Sequence, residues 1–506
     1  MQQQLGEPSN STKLDLSSKE ELIQTNTVLK TELGFAIKEI YRLKNQNLTD
    51  EQVQLVLAEH LGELRQTLFG TSSERYKKPE DKKKSSEDPK PRVKRPSERY
   101  PNLPIREQII TISPTPNCTA CGKITTDTGM TEDSEQLTVI PKKYEIVKYM
   151  RTIFGCSCQA CLITAPVPAR IIEGSSYSDD MILDVSLSKY CDLIPIERYV
   201  AMAKRGGLKD LPPQSLIELT HRFADFIKPV YQLIKHGVMQ ARVLSADETP
   251  HKMLEGSEKK SWYLWGFSTP KLCLLECHDT RSGDVASDIL LNSKCEVLLT
   301  DVFSGYGKAT KTVNQSRLLK SQIPIENGFC NAHARRYFFK PRHLYPEAQF
   351  YLEHYHQIYQ LNSDSKGKAK EQILILRSKM ANHFEDMRKK AFEELPRYPN
   401  QNKYRKALSY FLKNYDGLTL FLDQADVPID NNSQERLLRS HVVGRKTWYG
   451  THSERGAETA AILFSIVETC KLNDVNPRDY LKNLVKDLLN GKNPYTPNDS
   501  IHFPLN

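Results

Sequence analysis

The sequence predicts a multidomain α/β protein, on three observations. The chain has 506 residues, several times the usual size of one domain, about 100–200 residues. Between residues 239 and 342, short runs of β-branched and apolar residues alternate with helical periodicity, the pattern of a mixed sheet with helices packed on it. Elsewhere the periodicity is mostly helical, except for a cysteine-bearing stretch at 105–172 that carries strand-like runs.

Residues 1–18 are polar and are expected to form a disordered tail. Residues 19–76 form a helical segment. Leu22, Leu29, Ala36 and Leu43 share one heptad register, and Asn26, Leu33, Ile40 and Asn47 its partner register. This spacing fits a dimerising coiled coil, where buried Asn fixes register. It fits equally an amphipathic helix packed on its own chain. A second helix is expected over about 50–68. Residues 77–104 form a basic, Pro-rich linker: positions 77–99 hold ten basic residues, five acidic ones and four prolines. Such a stretch has too little apolar surface to fold, and its charge suits a solvated tether or a path along a phosphate backbone. In the unit at 105–172, strands are expected at 136–140 and 144–154.

Residues 173–238 carry three expected helices, at 179–191, 195–204 and 213–226. Gly206-Gly207 breaks the last two apart, which is compatible with a helix-turn-helix-like, DNA-binding segment. Residues 239–342 hold strands at 242–246, 261–268, 271–277, 296–300 and 328–330, with a helix at 283–291. Residues 343–427 form a helical block. Within 428–470, the run Asp430-Asn431-Asn432-Ser433 is a helix-start signal. Residues 471–506 form a C-terminal tail with a helix at 476–489.

Apolar residues make up 39% and charged residues 26%, a soluble balance. No apolar run approaches the roughly 18 residues of a membrane span, and residues 1–5 lack the pattern of a secretory signal. A cytoplasmic, non-membrane protein is expected. Lys and Arg outnumber Asp and Glu by 71 to 62, which tolerates a polyanionic partner without requiring one. Five of eleven cysteines crowd between Cys118 and Cys161. Reduced thiols so spaced point to a metal. Cys118, Cys121, Cys158 and Cys161 form two Cys-x-x-Cys pairs that suit a structural, tetrahedral Zn²⁺, with Cys156 an alternative to Cys158. Lys142, Lys143, Lys148 and Arg151 lie between the pairs, either facing DNA phosphates or forming a solvated face.

Asp247 and Asp301 each follow a short apolar strand run. Carboxyl ends of strands are the usual place for ligands in α/β sheets, although an Asp there is also a common turn former. Hard ions such as Mg²⁺ or Mn²⁺ prefer carboxylate oxygen, and a pair of them can serve phosphoryl transfer. Glu435, near a helix start, suits the third ligand position. Arg436 and Arg439 follow it and can meet phosphates. Glu248 is set aside because adjacent residues at a strand end diverge in direction.

At this point the chain resembles the large catalytic subunit of insertion-sequence-66 (IS66) transposases. The matching stretches are Leu64-Arg65-Gln66-Thr67-Leu68-Phe69-Gly70 with Ser73-Glu74-Arg75, then Lys189-Tyr190-Cys191-Asp192-Leu193-Ile194-Pro195. Asp247-Glu248-Thr249-Pro250 follows, then Asp301 with Gly305-Tyr306, then Cys330-Asn331-Ala332-His333-Ala334-Arg335-Arg336. Asp430-Asn431-Asn432 with Glu435-Arg436, Gly444-Arg445-Lys446 and a helix at 458–472 complete the set. The resemblance implies an RNase H-like catalytic core whose helical insertion separates the second Asp from the Glu. The 134 residues between Asp301 and Glu435 leave room for it. It implies a DDE-type enzyme that cuts element ends and transfers them to target DNA, a homodimer or larger assembly, and small accessory proteins of the same element. It supports zinc in the cysteine unit. One departure is Val302-Phe303 after Asp301, where the family often has Gly.

Arg335, Arg336, Arg445 and Lys446 are further expected DNA contacts, since guanidinium forks suit phosphate. For His333, metal binding, acid–base chemistry, phosphate contact and core packing all stay open. Trp448 either stacks on an unpaired base or is buried. The alternatives to a transposase are a DNA-binding derivative without catalysis, a nuclease without strand transfer, and a scaffold with an idle core.

Overall fold

The computed structural model describes residues 16–43, 49–50, 52–54, 56–58, 95–110, 113, 115–117, 119–126, 134–139, 142–155, 161–254 and 261–499. They fall into two compact units, one built from 1–72, 169–199 and 213–503, the other from 73–168, 200–212 and 504–506.

In the first unit, α1 (Leu16–Leu43) is one helix. Ile37 is buried against Val53, Val56 and Leu57 of the following helical segment, whereas Leu29, Leu33 and Ile40 of the heptad registers are exposed. The helix thus packs partly on its own chain, and the described heptad side chains Leu29, Leu33, Ala36 and Ile40 are exposed. Leu22, Asn26, Leu43 and Asn47 lie outside the described side chains.

The second unit carries a short antiparallel ribbon, β1 (Ile153–Gly155) with β2 (Leu162–Thr164). Of the strands expected at 136–140 and 144–154, residues 136–139 and 144–152 are not strands, and only Ile153 and Phe154 fall in β1. Ile146, Val147 and Met150 are exposed, and β-propensity has effect only on a pleated surface with a partner. Of the linker, residues 77–94 lie outside the described residues, and Pro96–Arg99 forms one helical turn.

The sheet of the first unit contains β3 (Val243–Lys252), β4 (Ser261–Ser268), β5 (Cys273–His278), β6 (Val297–Thr300) and β7 (Glu326–Phe329) in the order β5-β4-β3-β6-β7. β3, β4 and β5 pair antiparallel; β3–β6 and β6–β7 pair parallel. β6 is buried at every position, as a parallel strand covered on both faces must be. α2 (Asp179–Tyr190), α3 (Ile196–Arg205) and α4 (Pro213–Met239) precede the sheet. The third runs well past the expected end at 226, through Pro229. A proline removes one helical hydrogen bond. Here Val230, Ile234 and Val238 keep the apolar face going, and the Tyr231 hydroxyl donates to the Leu275 carbonyl at 3.0 Å.

α13 (Glu454–Leu472) is buried almost all round and shields the sheet edge. Its Ser465 hydroxyl accepts from the Leu275 N–H at 2.8 Å and its Thr469 hydroxyl from the Cys273 N–H at 3.1 Å. An edge strand with free N–H groups is otherwise an aggregation template. α5 (Gly283–Leu291) and α6 (Ser304–Leu319) pack on each other. Between β7 and α12 (Asn432–Trp448) lie α7 (Asn331–Phe339), α8 (Ala348–Asp364), α9 (Lys370–Glu394), α10 (Lys403–Lys413) and α11 (Tyr415–Thr419). They enclose an aromatic core that includes Phe338, Tyr351, Tyr355, Phe384, Tyr404 and Phe411, all fully buried. α14 (Pro477–Leu489) ends the chain's helices, with Asn476 capping the Arg478 N–H. Among the described residues, no helix is long and apolar enough to cross a membrane.

Candidate functional site

Three parallel strands, β3, β6 and β7, reach one rim. Ser245 pairs with Leu299 and Thr300 with Phe329, so Asp247 and Asp301, each two residues past the Ser245–Leu299 pair, and Cys330, next after Phe329, reach the same edge. Asp301 follows its strand as expected. Asp247 does not terminate β3, which continues to Lys252 with Asp247 opposite Gly266 of β4. The apolar run marked only the part of β3 that pairs parallel with β6. The strand then lives on as half of a hairpin.

Glu435 arrives from α12, whose start is fixed by several bonds. The buried Asn431 donates from Nδ2 to the Ala246 carbonyl at 2.8 Å, and its backbone N–H donates to Cys330 Sγ at 3.2 Å. The Asp430 carboxylate accepts from the Asn432 N–H, the Asn432 amide and the Tyr359 hydroxyl. Glu435, Leu438, Arg439 and Val442 then share one helical face, at the i, i+3, i+4, i+7 spacing. Together with Asp247, Glu248, Thr249, Asp301 and His333 they line a cleft of about 330 Å³.

The cleft is charged and short of donors. Asp247 Oδ1 accepts from the Glu248 N–H at 2.9 Å, and Asp301 Oδ1 from the Phe303 N–H at 3.0 Å. Burial, then the negative charges of Glu248, Asp301 and Glu435, push the Asp247 carboxyl up to about 8. Glu435 Oε1 and His333 Nδ1 are buried atoms without hydrogen-bond partners, 3.6 Å apart. A buried acceptor left unpaired is costly, and hard divalent ions bind such oxygens.

Glu248 also lines the cleft, so divergent direction is not what separates it from Asp247. Its oxygens are already taken: the Arg281 guanidinium donates at 2.6 and 2.9 Å and the Tyr306 hydroxyl at 2.6 Å. Arg281 lies over the Phe303 ring at 4.2 Å, so this clamp also braces the turn after Asp301. Glu248, Arg281 and Tyr306 carry no sequence signature as a set, because 33 and 25 residues separate them. Cys330 and Asn431 were visible only as members of longer motifs.

Of the expected DNA contacts, Arg439 lines the cleft and is exposed, Arg436 and Lys446 are exposed on the same helix, and Arg445 is half-buried. Arg335 lies over the Phe339 ring at 5.5 Å, and Arg336 is half-buried. Trp448 is half-buried. The Lys189 ammonium sits 4.6 Å from its ring and Tyr190 packs edge-on to it, so this ring is engaged within the chain. Cys121 and Cys161 are exposed free thiols. Cys118, Cys156 and Cys158 lie outside the described residues.

Comparison with known proteins matches residues 174–459 to the model of the IS66 transposase family. The uncharacterized protein y4hP of Sinorhizobium fredii (strain NBRC 101917 / NGR234) is 24% identical over 410 residues, covering 76% of this chain and 73% of that protein. The uncharacterized protein y4jD of the same organism is 26% identical over 390 residues, covering 74% and 75%.

Proposed function

The chain belongs to the IS66 family of transposases, and from that premise we propose that it is a DDE-type enzyme that cleaves the ends of its DNA element and joins them to target DNA. One observation carries this reading: Asp247, Asp301 and Glu435, from two strands and a distant helix, line a single cleft. The mixed five-stranded sheet, with its helices inserted between Asp301 and Glu435, fits an RNase H-like core.

Asp247, Asp301 and Glu435 would hold two Mg²⁺ or Mn²⁺ ions. The fit rests on the Asp247 carboxyl, raised by burial and then by its acidic neighbours, and on Glu435 Oε1, a buried acceptor without a hydrogen-bond partner. Bound divalent ions supply activation of the attacking oxygen and stabilisation of the leaving one. The remaining tasks fall to the chain itself. Arg439, one turn from Glu435, meets a phosphate entering the cleft, and Arg436, Arg445, Lys446, Arg335 and Arg336 extend a cationic path for double-stranded DNA. The Glu248–Arg281–Tyr306 clamp fixes β3 beside Asp301, so that the carboxylates are positioned before substrate arrives.

Dimerisation through α1 is part of the proposal, supported by the exposed heptad residues Leu29, Leu33 and Ile40. So are a structural Zn²⁺ on Cys118, Cys121, Cys158 and Cys161, and accessory proteins of the same element. The test is nicking of end DNA by Asp301→Asn and Glu435→Gln. Each is expected to lose cleavage by at least a thousandfold while retaining DNA binding. Wild-type nicking by either variant refutes the assignment. A strand-transfer assay with precut ends separates a transposase from a nuclease that cannot rejoin.

A further inference from the structure

We infer that Cys330, His333 and Glu435 form a second kind of metal site, for a thiophilic divalent ion of the Zn²⁺ class. The Sγ, imidazole nitrogen and carboxylate oxygen of these three lie within 4.8 Å of one another. Two of the three atoms, His333 Nδ1 and Glu435 Oε1, are buried without hydrogen-bond partners. Cys330 is the residue before α7 and His333 is three positions on, so both side chains issue from one helical turn. No side-chain cap bond ties Cys330 to that helix; its sulfur accepts from the Asn431 N–H and keeps lone-pair capacity for a metal.

Burial pushes the Cys330 thiol up to about 12, so the metal-free sulfur keeps its proton; two features partly offset this and help a bound cation displace it. Cys330 sits at a helix N-terminus, where partial positive charge stabilises an anion, and the Asn431 N–H donates to its sulfur at 3.2 Å. Binding breaks the S–H bond, releases that proton to water and forms a metal–sulfur bond. A sulfur, a nitrogen and an oxygen with one open position match a three-ligand zinc site completed by water. Mg²⁺ does not suit this set, since it prefers oxygen donors.

The site is defined by its own three atoms and does not rest on phosphoryl transfer. Under that reading, however, both sites draw on Glu435. An ion held by Cys330 and His333 competes for the third carboxylate, so Zn²⁺ is an inhibitor of the Mg²⁺-dependent reaction.

The test is metal stoichiometry of the full-length protein after Zn²⁺ loading and removal of loose metal, with a parallel Co²⁺ titration. Metal held by the cysteine-rich segment is common to all variants and cancels in the comparison. Wild-type protein is expected to carry one equivalent more than His333→Asn and than Cys330→Ser. The wild-type minus Cys330→Ser difference spectrum with Co²⁺ is expected to show a thiolate-to-cobalt charge-transfer band. Asp247→Asn is expected to keep the additional equivalent, which separates this site from the carboxylate cluster. His333 is partly exposed, so its Asn variant folds even where a change at the fully buried Cys330 does not; circular dichroism checks each. Equal zinc content in wild type and either His333→Asn or Cys330→Ser overturns the inference, as does loss of the equivalent in Asp247→Asn.

Discussion

Asp247→Asn should make the metal-free protein more stable. The wild-type carboxyl is raised from an ordinary 3.8 to about 8, so the folded state resists its ionisation. The amide has the same shape, and its Oδ1 still accepts from the Glu248 N–H. For a carboxyl raised on folding, stability is full below the unfolded value and is lost as pH climbs through the folded one. The loss therefore accrues between about pH 4 and 8, at about 1.4 kcal/mol per pH unit. At pH 7 that is roughly three units, or about 4 kcal/mol relative to the amide variant, and nothing at pH 3.5. Urea denaturation of both proteins in chelator, at half-unit steps from pH 4 to 7.5, measures it. Adding Mg²⁺ should raise the wild type alone, because only its native state gains a ligand. A variant no more stable than wild type at pH 7, or a gap that does not widen with pH, refutes the account of a carboxyl raised by burial and acidic neighbours.

Gly266→Ala is expected to reduce cleavage and cost about 1–3 kcal/mol, a usual range for overpacking. The new Cβ would lie 2.1 Å from the Gln434 amide nitrogen and 3.1 Å from Leu275 Cδ2, disturbing the residue beside Glu435; calorimetry and a nicking assay check both effects. Arg377→Met is expected to lower stability by about 3 kcal/mol or more in denaturation, because buried carbonyls left without donors are costly. The Arg377 guanidinium is buried and donates to the carbonyls of Phe421, Gln424 and Val427.

The sequence exposed what is periodic or locally patterned. The strands around 261–268 and 296–300, the helix at 283–291 and the helix start before Glu435 all carry local signals, and each forms close to its expected bounds. Asp247 stands within β3 and not at its end, because only the half of β3 that pairs with β6 is apolar and the half that continues in the hairpin with β4 is not. The helix expected at 213–226 continues to Met239 through Pro229, a stop signal in isolation that packing on α13 and β5 overrides. The Glu248 clamp was invisible for a different reason. It joins three residues with no shared periodicity, and its existence depends on the turn after β6 folding back over β3. Trp448 shows the limit for exposed chemistry: its partner Lys189 lies 259 residues earlier in the chain.

The helical block between Asp301 and Glu435 reaches the carboxylates through the bonds that fix the start of α12. Its buried aromatic core holds α7 and α8 rigidly, and those helices grip the approach to α12. Asn331, the first residue of α7, is fully buried and donates to the carbonyls of Leu418 and Ile429 at 2.9 and 3.0 Å. Tyr359 on α8 holds Asp430, and Asn431 then reaches across to β3. Glu435 is thus placed by a chain of bonds that begins in the insertion, and it is not held by local contacts of its own carboxylate. Asn331→Ala breaks the first of these bonds without touching any carboxylate. It should cost about 2 kcal/mol, the scale for buried groups left unpaired. More tellingly, hydrogen exchange should speed up at residues 427–435 while residues 297–300 of β6 stay protected, and cleavage should fall with metal binding at the cleft. Uniform loss of protection across both segments would mean that Asn331 supports the fold as a whole and does not position Glu435.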